Sequence, residues 1–537
     1  MADAPTTTLP APTTAEQPWK PKFNPWLIAV VVAMAAFMEV LDTSIANVAL
    51  PHIAGNLGAS NDESTWVLTS YLVSNAIVLP MSGWLASLIG RKRFFLLCIV
   101  LFTLSSLFCG AAPSLAMLIV FRVIQGVGGG GLQPMAQAIL ADTFPPQQRG
   151  LAFALYGITA IMAPTIGPTL GGWITDNYTW RWIFYINLPV GIATVFLAFR
   201  MVEDPPYFRR LRGAGIRVDY IGISLLALGV GALQVLLDKG QEDDWFGSHF
   251  ITTLALISGI CLVSLVIWEW FHKEPIIDVH LFSNFNFATA SLMMFVLGLI
   301  LFSSLVIMPQ FLQTLMGYTA ESAGLVLSAS GLVILFQMPI VGQLTSKFPV
   351  KYIMGFGWLA LACGMYYSTR RLDLEISFQS AAWTRVVQAF GLGFLFVPIT
   401  LAGYIGIPPE KANSVSGLVN FMRNIGSSVG TSMVTTLLAR REQFHQSMLA
   451  YHTTASDVAF QNQVKGLSQQ LIQSGISPAD AQTNAYARIY QSMQAQAQTL
   501  AYIDTFMVLA IGASIMFLIT FIVRKNDPTA GGAVVAE

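Results

Sequence analysis

The chain has 537 residues, 54% of them hydrophobic and only 10% charged, with a formal net charge of zero. Soluble proteins carry about 25% charged residues, so this chain cannot cover a globular surface in water and reads as an all-α integral membrane protein. A zero balance also leaves no electrostatic footprint for nucleic acid.

Residues 1–25 are rich in Pro, Thr and Ala, lack a signal-peptide core, and read as a disordered tail. The run 26–50, WLIAVVVAMAAFMEVLDTSIANVAL, would be about 37 Å long as a helix, against a hydrocarbon core of about 30 Å. Two carboxylates, Glu39 and Asp42, fall inside it. They are three apart and so share one helical face, and acids at that depth mark proton or ion pathways. Further apolar segments follow near 65–89, 94–112, 116–140, 150–173, 182–200, 219–237, 251–271, 286–309, 322–345, 350–369, 381–402, 412–439 and 502–524, giving fourteen. An even number puts both termini on one side. That side receives seventeen cations (Lys20, Lys22, Arg91, Lys92, Arg93, Arg149, Arg200, Arg209, Arg210, Arg212, Arg217, Lys273, Lys347, Lys351, Lys411, Arg524 and Lys525). The opposite short loops receive only Arg181, Lys239, Arg370 and Arg371. The bias places both termini in the cytoplasm, with 525–537 as a second tail.

Residues 440–501 form one long outer loop, polar and rich in Gln and Ala, whose composition predicts a helical hairpin broken near Ser474-Gly475. Cys98, Cys109, Cys261 and Cys363 show no CxxC and no metal spacing, and are expected to pack between helices. Gly126, Gly128 and Gly131 fit G-x-G-x-x-G, but they lie in an apolar span and not between a strand and a helix, so close helix packing is the expected role. There is no GxxxxGK[ST] and no soluble region large enough for an ATPase. The chain reads as a transporter and not an enzyme, with no metal site and no cofactor beyond a proton gradient.

An internal repeat divides the chain. Arg122-Val-Ile-Gln125 recurs as Arg385-Val-Val-Gln388, 263 residues later, and Pro145-Pro146-Gln147 recurs as Pro408-Pro409-Glu410 at the same offset. Gly83-Trp-Leu-Ala-Ser87 has a weaker echo in Gly342-Gln-Leu-Thr-Ser346. The expected layout is two related six-helix bundles, 26–200 and 286–524, with two extra helices in the linker 201–285 and a cavity at the repeat interface.

Four stretches, LDTSIANVALPHIAGNLG, GWLASLIGRKRFF, RVIQGVGGGG and GITAIMAPTIGPTLGGW, follow in that order. With them the chain resembles the major facilitator superfamily, in its fourteen-helix drug:proton antiporter branch, and is similar to that branch's EmrB-like members throughout its length. The resemblance implies proton-coupled multidrug efflux of hydrophobic or amphipathic compounds across a bacterial inner membrane by alternating access. It also implies a periplasmic adaptor of the EmrA type and an outer-membrane channel of the TolC type as partners. Gly167, Pro168, Gly171 and Gly172 fill the GPxxGG pattern that typifies antiporters, and Gly83, Gly90 and Arg91 fill the cytoplasmic loop motif. That motif usually carries an acid where this chain has Ser87, which weakens a latch built on Arg91.

Helix counting puts Glu39 about 20 Å and Asp42 about 24 Å from the cytoplasmic side, and Arg122 about 9 Å from the outer side, beside or between the two carboxylates. A neighbouring cation favours the charged form of a buried acid, while burial and a second acid favour the neutral form, so opening the cavity would change proton occupancy. Proton coupling through Asp42, Glu39 and Arg122 and a static ion pair both fit the residues; Gln can stand at the Glu39 position in EmrB-like sequences. Arg423, about 16 Å into its segment, has no acid in the interior of its own half. Its partner is an acid of the other bundle, a substrate, cavity water, or the amides of Asn420 and Asn424. By analogy with the fold, cavity candidates are Met38, Tyr71, Asn75, Tyr156, Met162, Met293, Phe295, Phe336, Gln337, Asn420, Phe421 and Asn424, since Met and aromatic groups make adaptable apolar walls. A dedicated metabolite exporter or importer on the same scaffold is the alternative. A non-transporting sensor would need no acid in the membrane.

Overall fold

The computed structural model describes residues 21–205, 218–451, 453 and 457–523. Most of both predicted tails, and with them Lys20, Arg209, Arg210, Arg212, Arg217, Arg524 and Lys525, lies outside the described residues. The described residues contain helices and no β-strand. All fourteen predicted segments coincide with helices, and twelve are long and apolar enough to cross a membrane.

The first half begins with α1 (Pro25–Leu57), started by the Asn24 side chain, which accepts a hydrogen bond from the Trp26 amide. Next come α2 (Asn61–Ile89), opened by a Ser60/Glu63 capping box, and α3 (Arg91–Ala111). The fourth predicted segment is two helices, α4 (Leu115–Gly129) and α5 (Leu132–Thr143). Then follow α6 (Pro146–Asn177), the short α7 (Trp182–Tyr185) and α8 (Asn187–Met201). The extra pair is α9 (Tyr220–Lys239) and α10 (His249–Phe271).

In the second half, α11 (Phe285–Thr314), α12 (Ala320–Leu344) and α13 (Val350–Thr369) precede another split segment, α14 (Phe378–Gly393) and α15 (Phe396–Gly403). The two breaks, at Gly130-Gly131 and at Phe394-Leu395, are 264 residues apart, one more than the offset of the sequence repeat. The last three helices are α16 (Ala412–Tyr451), α17 (Val458–Gln473) and α18 (Pro478–Thr520). The predicted segments that fall short in apolarity are α13 and α16. In α16 the deficit comes from the polar face that carries Asn420, Arg423, Asn424, Ser427 and Ser428.

The long loop 440–501 is built by running α16 and α18 past the bundle. The chain reverses at Ser474-Gly475, where Gly475 takes φ +94. Val464, Leu471, Ala481 and Ala485 form a small core of its own between α17 and α18. At its base Asp504 binds Arg441 Nε at 2.6 Å and His445 Nε2 at 2.6 Å, and Gln498 donates to Glu442 at 2.8 Å. We call this the hairpin end of the bundle, and the opposite end, where α1 begins, the terminal end.

Glycines let the helices meet closely. A Cβ on Gly426 of α16 would lie 2.1 Å from the Phe295 carbonyl oxygen of α11, and one on Gly298 would lie 2.3 Å from the Arg423 carbonyl oxygen. Gly426→Val is therefore expected to lower stability by about 1–3 kcal/mol or more, read as a fall in Tm in detergent. Gly259→Ala on α10, with nothing within 4 Å, is the control. Equal Tm shifts for the two variants would sink this packing account.

Candidate transport cavity

A cavity of about 540 Å³ lies between the halves, in the hairpin-end half of the bundle. Its floor carries Glu39, Gln133, Phe396 and Arg423, and its rim carries Gln241 and Glu242. Below the floor the halves touch. Tyr156 stacks on Phe396 and Phe153 on Tyr404, with ring centroids 5.8 and 5.7 Å apart. A Cβ on Gly83 would meet the Ser414 backbone at 2.9 Å, and one on Gly150 would collide with Thr345. The cavity is closed at the terminal end.

Glu39 and Asp42 share a face of α1 but serve different neighbours. Glu39, 4% exposed, accepts from Tyr71 Oη at 2.9 Å, Asn75 Nδ2 at 3.1 Å and Gln133 Nε2. It lines the cavity. Asp42, 2% exposed, lies behind it and accepts from Arg122 Nη1 at 2.6 Å, Asn187 Nδ2 at 2.6 Å and Gln125 Nε2 at 3.1 Å. Arg122 also donates from Nε to the Val67 carbonyl at 3.0 Å, and its guanidinium lies 4.3 Å from the Tyr71 ring centroid. Arg122 is thus beside Asp42 but not between the acids; Tyr71 separates it from Glu39. The second half repeats the Arg–Gln pair, with Arg385 Nη1 donating to Gln388 Oε1 at 2.6 Å, and puts Ser304 at 3.1 Å where the first half has Asp42.

Arg423 donates to Gln133 Oε1, and Gln133 in turn donates to Glu39. The two halves' charges are therefore joined through one glutamine, with Glu39 and not Asp42 on the far side. Tyr156 Oη donates to the same Gln133 oxygen at 3.0 Å, and Asn420 donates to Gln137 at 2.8 Å. The sequence reading missed Gln133 and Gln137. Two glutamines four apart in an apolar span were the available signal.

Among the expected cavity residues, Tyr71, Asn75 and Asn424 line it. Tyr156 and Asn420 do not line it but belong to the closed layer beneath. The others are corrections. Met38 and Met293 are buried in the core, Met162 packs near Gly331, and Phe295 and Phe421 are partly buried against the core. Gln337 donates to the Phe390 carbonyl at 2.7 Å, and Phe336 is 72% exposed on the outside of the bundle. In a membrane protein the lipid face and the packed face are both apolar, so residue type did not separate them. Instead the cavity uses Thr43, Ser44 and Asn47 of α1 and Ser427, Ser428, Thr431 and Thr435 of α16, a polar stripe at helical spacing.

Pro168 lines the cavity, and its ring removes the hydrogen bond to the Pro164 carbonyl. Ser44 Oγ takes that carbonyl at 3.1 Å, and Gly167 and Gly171 pack on Ser44 and Ile45. Gly172 meets nothing within 4 Å. The G-x-G-x-x-G glycines pack α4 and the start of α5 on α2 and α3, with Gly126 on Ser74, Gly128 on Phe102 and Gly131 on Cys98. Three cysteines are at least partly buried, whereas Cys363 is exposed, against expectation. Gly90 takes φ +98, and Arg91 pairs with the buried Asp142 at the end of α5. Arg91 thus has a carboxylate partner despite Ser87, whose hydroxyl donates to the Gly83 carbonyl at 3.0 Å. Among the described residues no group of three His, Cys, Asp or Glu could hold a metal.

Residues 32–431 match the Major Facilitator Superfamily. The chain is 38% identical over 449 residues to multidrug export protein EmrB of Escherichia coli K12, covering 83% of this chain and 87% of that protein. It is 37% identical to fatty acid resistance protein FarB of Neisseria gonorrhoeae, with the same coverage. The proton:xylose symporter XylE shares the fold at a TM-score of 0.60 and 13% identity, over 94% of this chain and 97% of that one. The chain belongs to the Major Facilitator Superfamily and is a multi-pass membrane protein.

Proposed function

We propose that this member of the superfamily is a proton-coupled multidrug exporter of hydrophobic or amphipathic compounds. The observation that carries this reading is the cavity itself. It is closed at one end, largely apolar in its walls, and floored by a carboxylate that meets both the cavity and, through Gln133, the Arg423 of the opposite half. The names of the relatives, multidrug export and fatty acid resistance, agree with it.

On this reading the cation bias makes the terminal end cytoplasmic, the membrane is the bacterial inner membrane, and α13 and α16 cross it with the other twelve helices. The open cavity then faces outward. Glu39 exchanges protons with the cavity, and the Asp42–Arg122 ion pair ties that exchange to the position of α4 relative to α1. A neutral Glu39 holds Gln133, and through it Arg423, less strongly, which frees the halves to rock. The close contacts of Gly83 with Ser414 and of Gly150 with Thr345 hold the cytoplasmic gate shut in this state, and the Arg91–Asp142 pair braces the first half. The projecting α16–α17–α18 hairpin is the surface for an EmrA-type adaptor, with a TolC-type channel beyond. Arg423 is already bonded to Gln133, which disfavours a dedicated carrier that uses it as an anion ligand.

In reconstituted vesicles carrying an imposed pH gradient, chemically dissimilar hydrophobic compounds are expected to dissipate the gradient. A response to a single metabolite, or to no compound in a broad panel, would overturn the proposal.

A further inference from the structure

The extra helix α9 is part of the cavity wall. It packs between α2 and α16, and so touches both halves. Gln234 Nε2 donates to Ser428 Oγ at 2.9 Å, and that hydroxyl lies 3.0 Å from Gln234 Oε1. One turn later Asp238 lines the cavity. It lies one residue past the apolar segment 219–237 and is exposed. Its carboxylate accepts from the Thr69 hydroxyl, and among the described residues no cationic side chain is within ion-pair distance of it.

The nearby cations are committed elsewhere. Lys239 is held at the rim by Glu242 at 2.5 Å, the Asp62 carbonyl at 3.3 Å and Thr65. Arg423 is held by Gln133 at the floor. Among the described residues Asp238 is an exposed carboxylate without a cation in direct contact, in a cavity that Leu68, Leu72 and Leu305 also line. A second feature points to a ligand. Ser432 lines the same cavity at 5% exposure, and its hydroxyl has no partner; Asn424 Oδ1 has none either. A charge and oxygen acceptors facing apolar walls are completed by a molecule that carries positive charge on an apolar body.

We infer that Asp238 is a specificity-determining residue that selects lipophilic cations, and that α9 gives the cavity this preference. The inference rests on the exporter reading. The test uses two ions of the same shape and opposite charge, tetraphenylphosphonium and tetraphenylborate, binding to the purified full-length protein. Asp238→Asn is expected to weaken phosphonium binding about tenfold or more while borate binding stays within about threefold. Asp238→Glu restores the preference. Unchanged phosphonium binding, or equal weakening of both ions, overturns the assignment. Retained borate binding reports that the variant is folded. Binding needs no proton gradient, so a failure of the antiport reading would leave this result legible.

Discussion

Asp42→Asn is expected to stop drug-driven proton movement, by about 100-fold or more, while drug binding changes by no more than about threefold. The split follows from position. Asp42 does not line the cavity, so its loss removes no contact with cargo. Its two oxygens accept three hydrogen bonds, and Asn would turn a donor toward Arg122, Gln125 or Asn187. Arg122 would then be a buried cation without its counter-charge, and breaking such a pair costs about 3–5 kcal/mol. The measurement compares gradient dissipation in vesicles with equilibrium binding in detergent. Proton movement at the wild-type rate would make the Asp42–Arg122 pair a static tie between α1 and α4.

Glu39→Gln is expected to remove the proton release that accompanies drug binding. Glu39 is the carboxylate of α1 that meets the cavity, and an amide there keeps an oxygen for Tyr71 and Asn75, while its nitrogen faces the Gln133 Nε2 donor. The variant should therefore keep the Tyr71 and Asn75 bonds and lose both the bond from Gln133 and the exchangeable proton. Release is followed by a pH dye in weakly buffered solution, as drug is added to purified protein. Full release from Glu39→Gln would move the exchanging group to Asp42. Loss of release with binding retained would assign it to Glu39.

By itself the sequence determined what depends on local pattern. Apolar length placed fourteen helical segments, because crossing hydrocarbon demands a minimum run of such residues. Acids three apart put Glu39 and Asp42 on one face, the Arg–Gln pair of Arg122 recurred at Arg385, and the Gly167-Pro168 pair marked the missing backbone hydrogen bond in α6. None of these needs a partner from elsewhere in the chain. Tertiary structure decided the pairings: Asp42 with Arg122 and Asn187, Glu39 with Gln133, Arg91 with Asp142, and α9 as a wall of the cavity. It also decided which way each helix turns, which is why Phe336 and Met293 left the site and Gln133 and Asp238 joined it. A soluble helix advertises its buried face by being apolar there and polar elsewhere. A membrane helix is apolar toward lipid and toward its neighbours alike, so its rotation is settled only by the packing of small residues and the meeting of polar groups from distant segments.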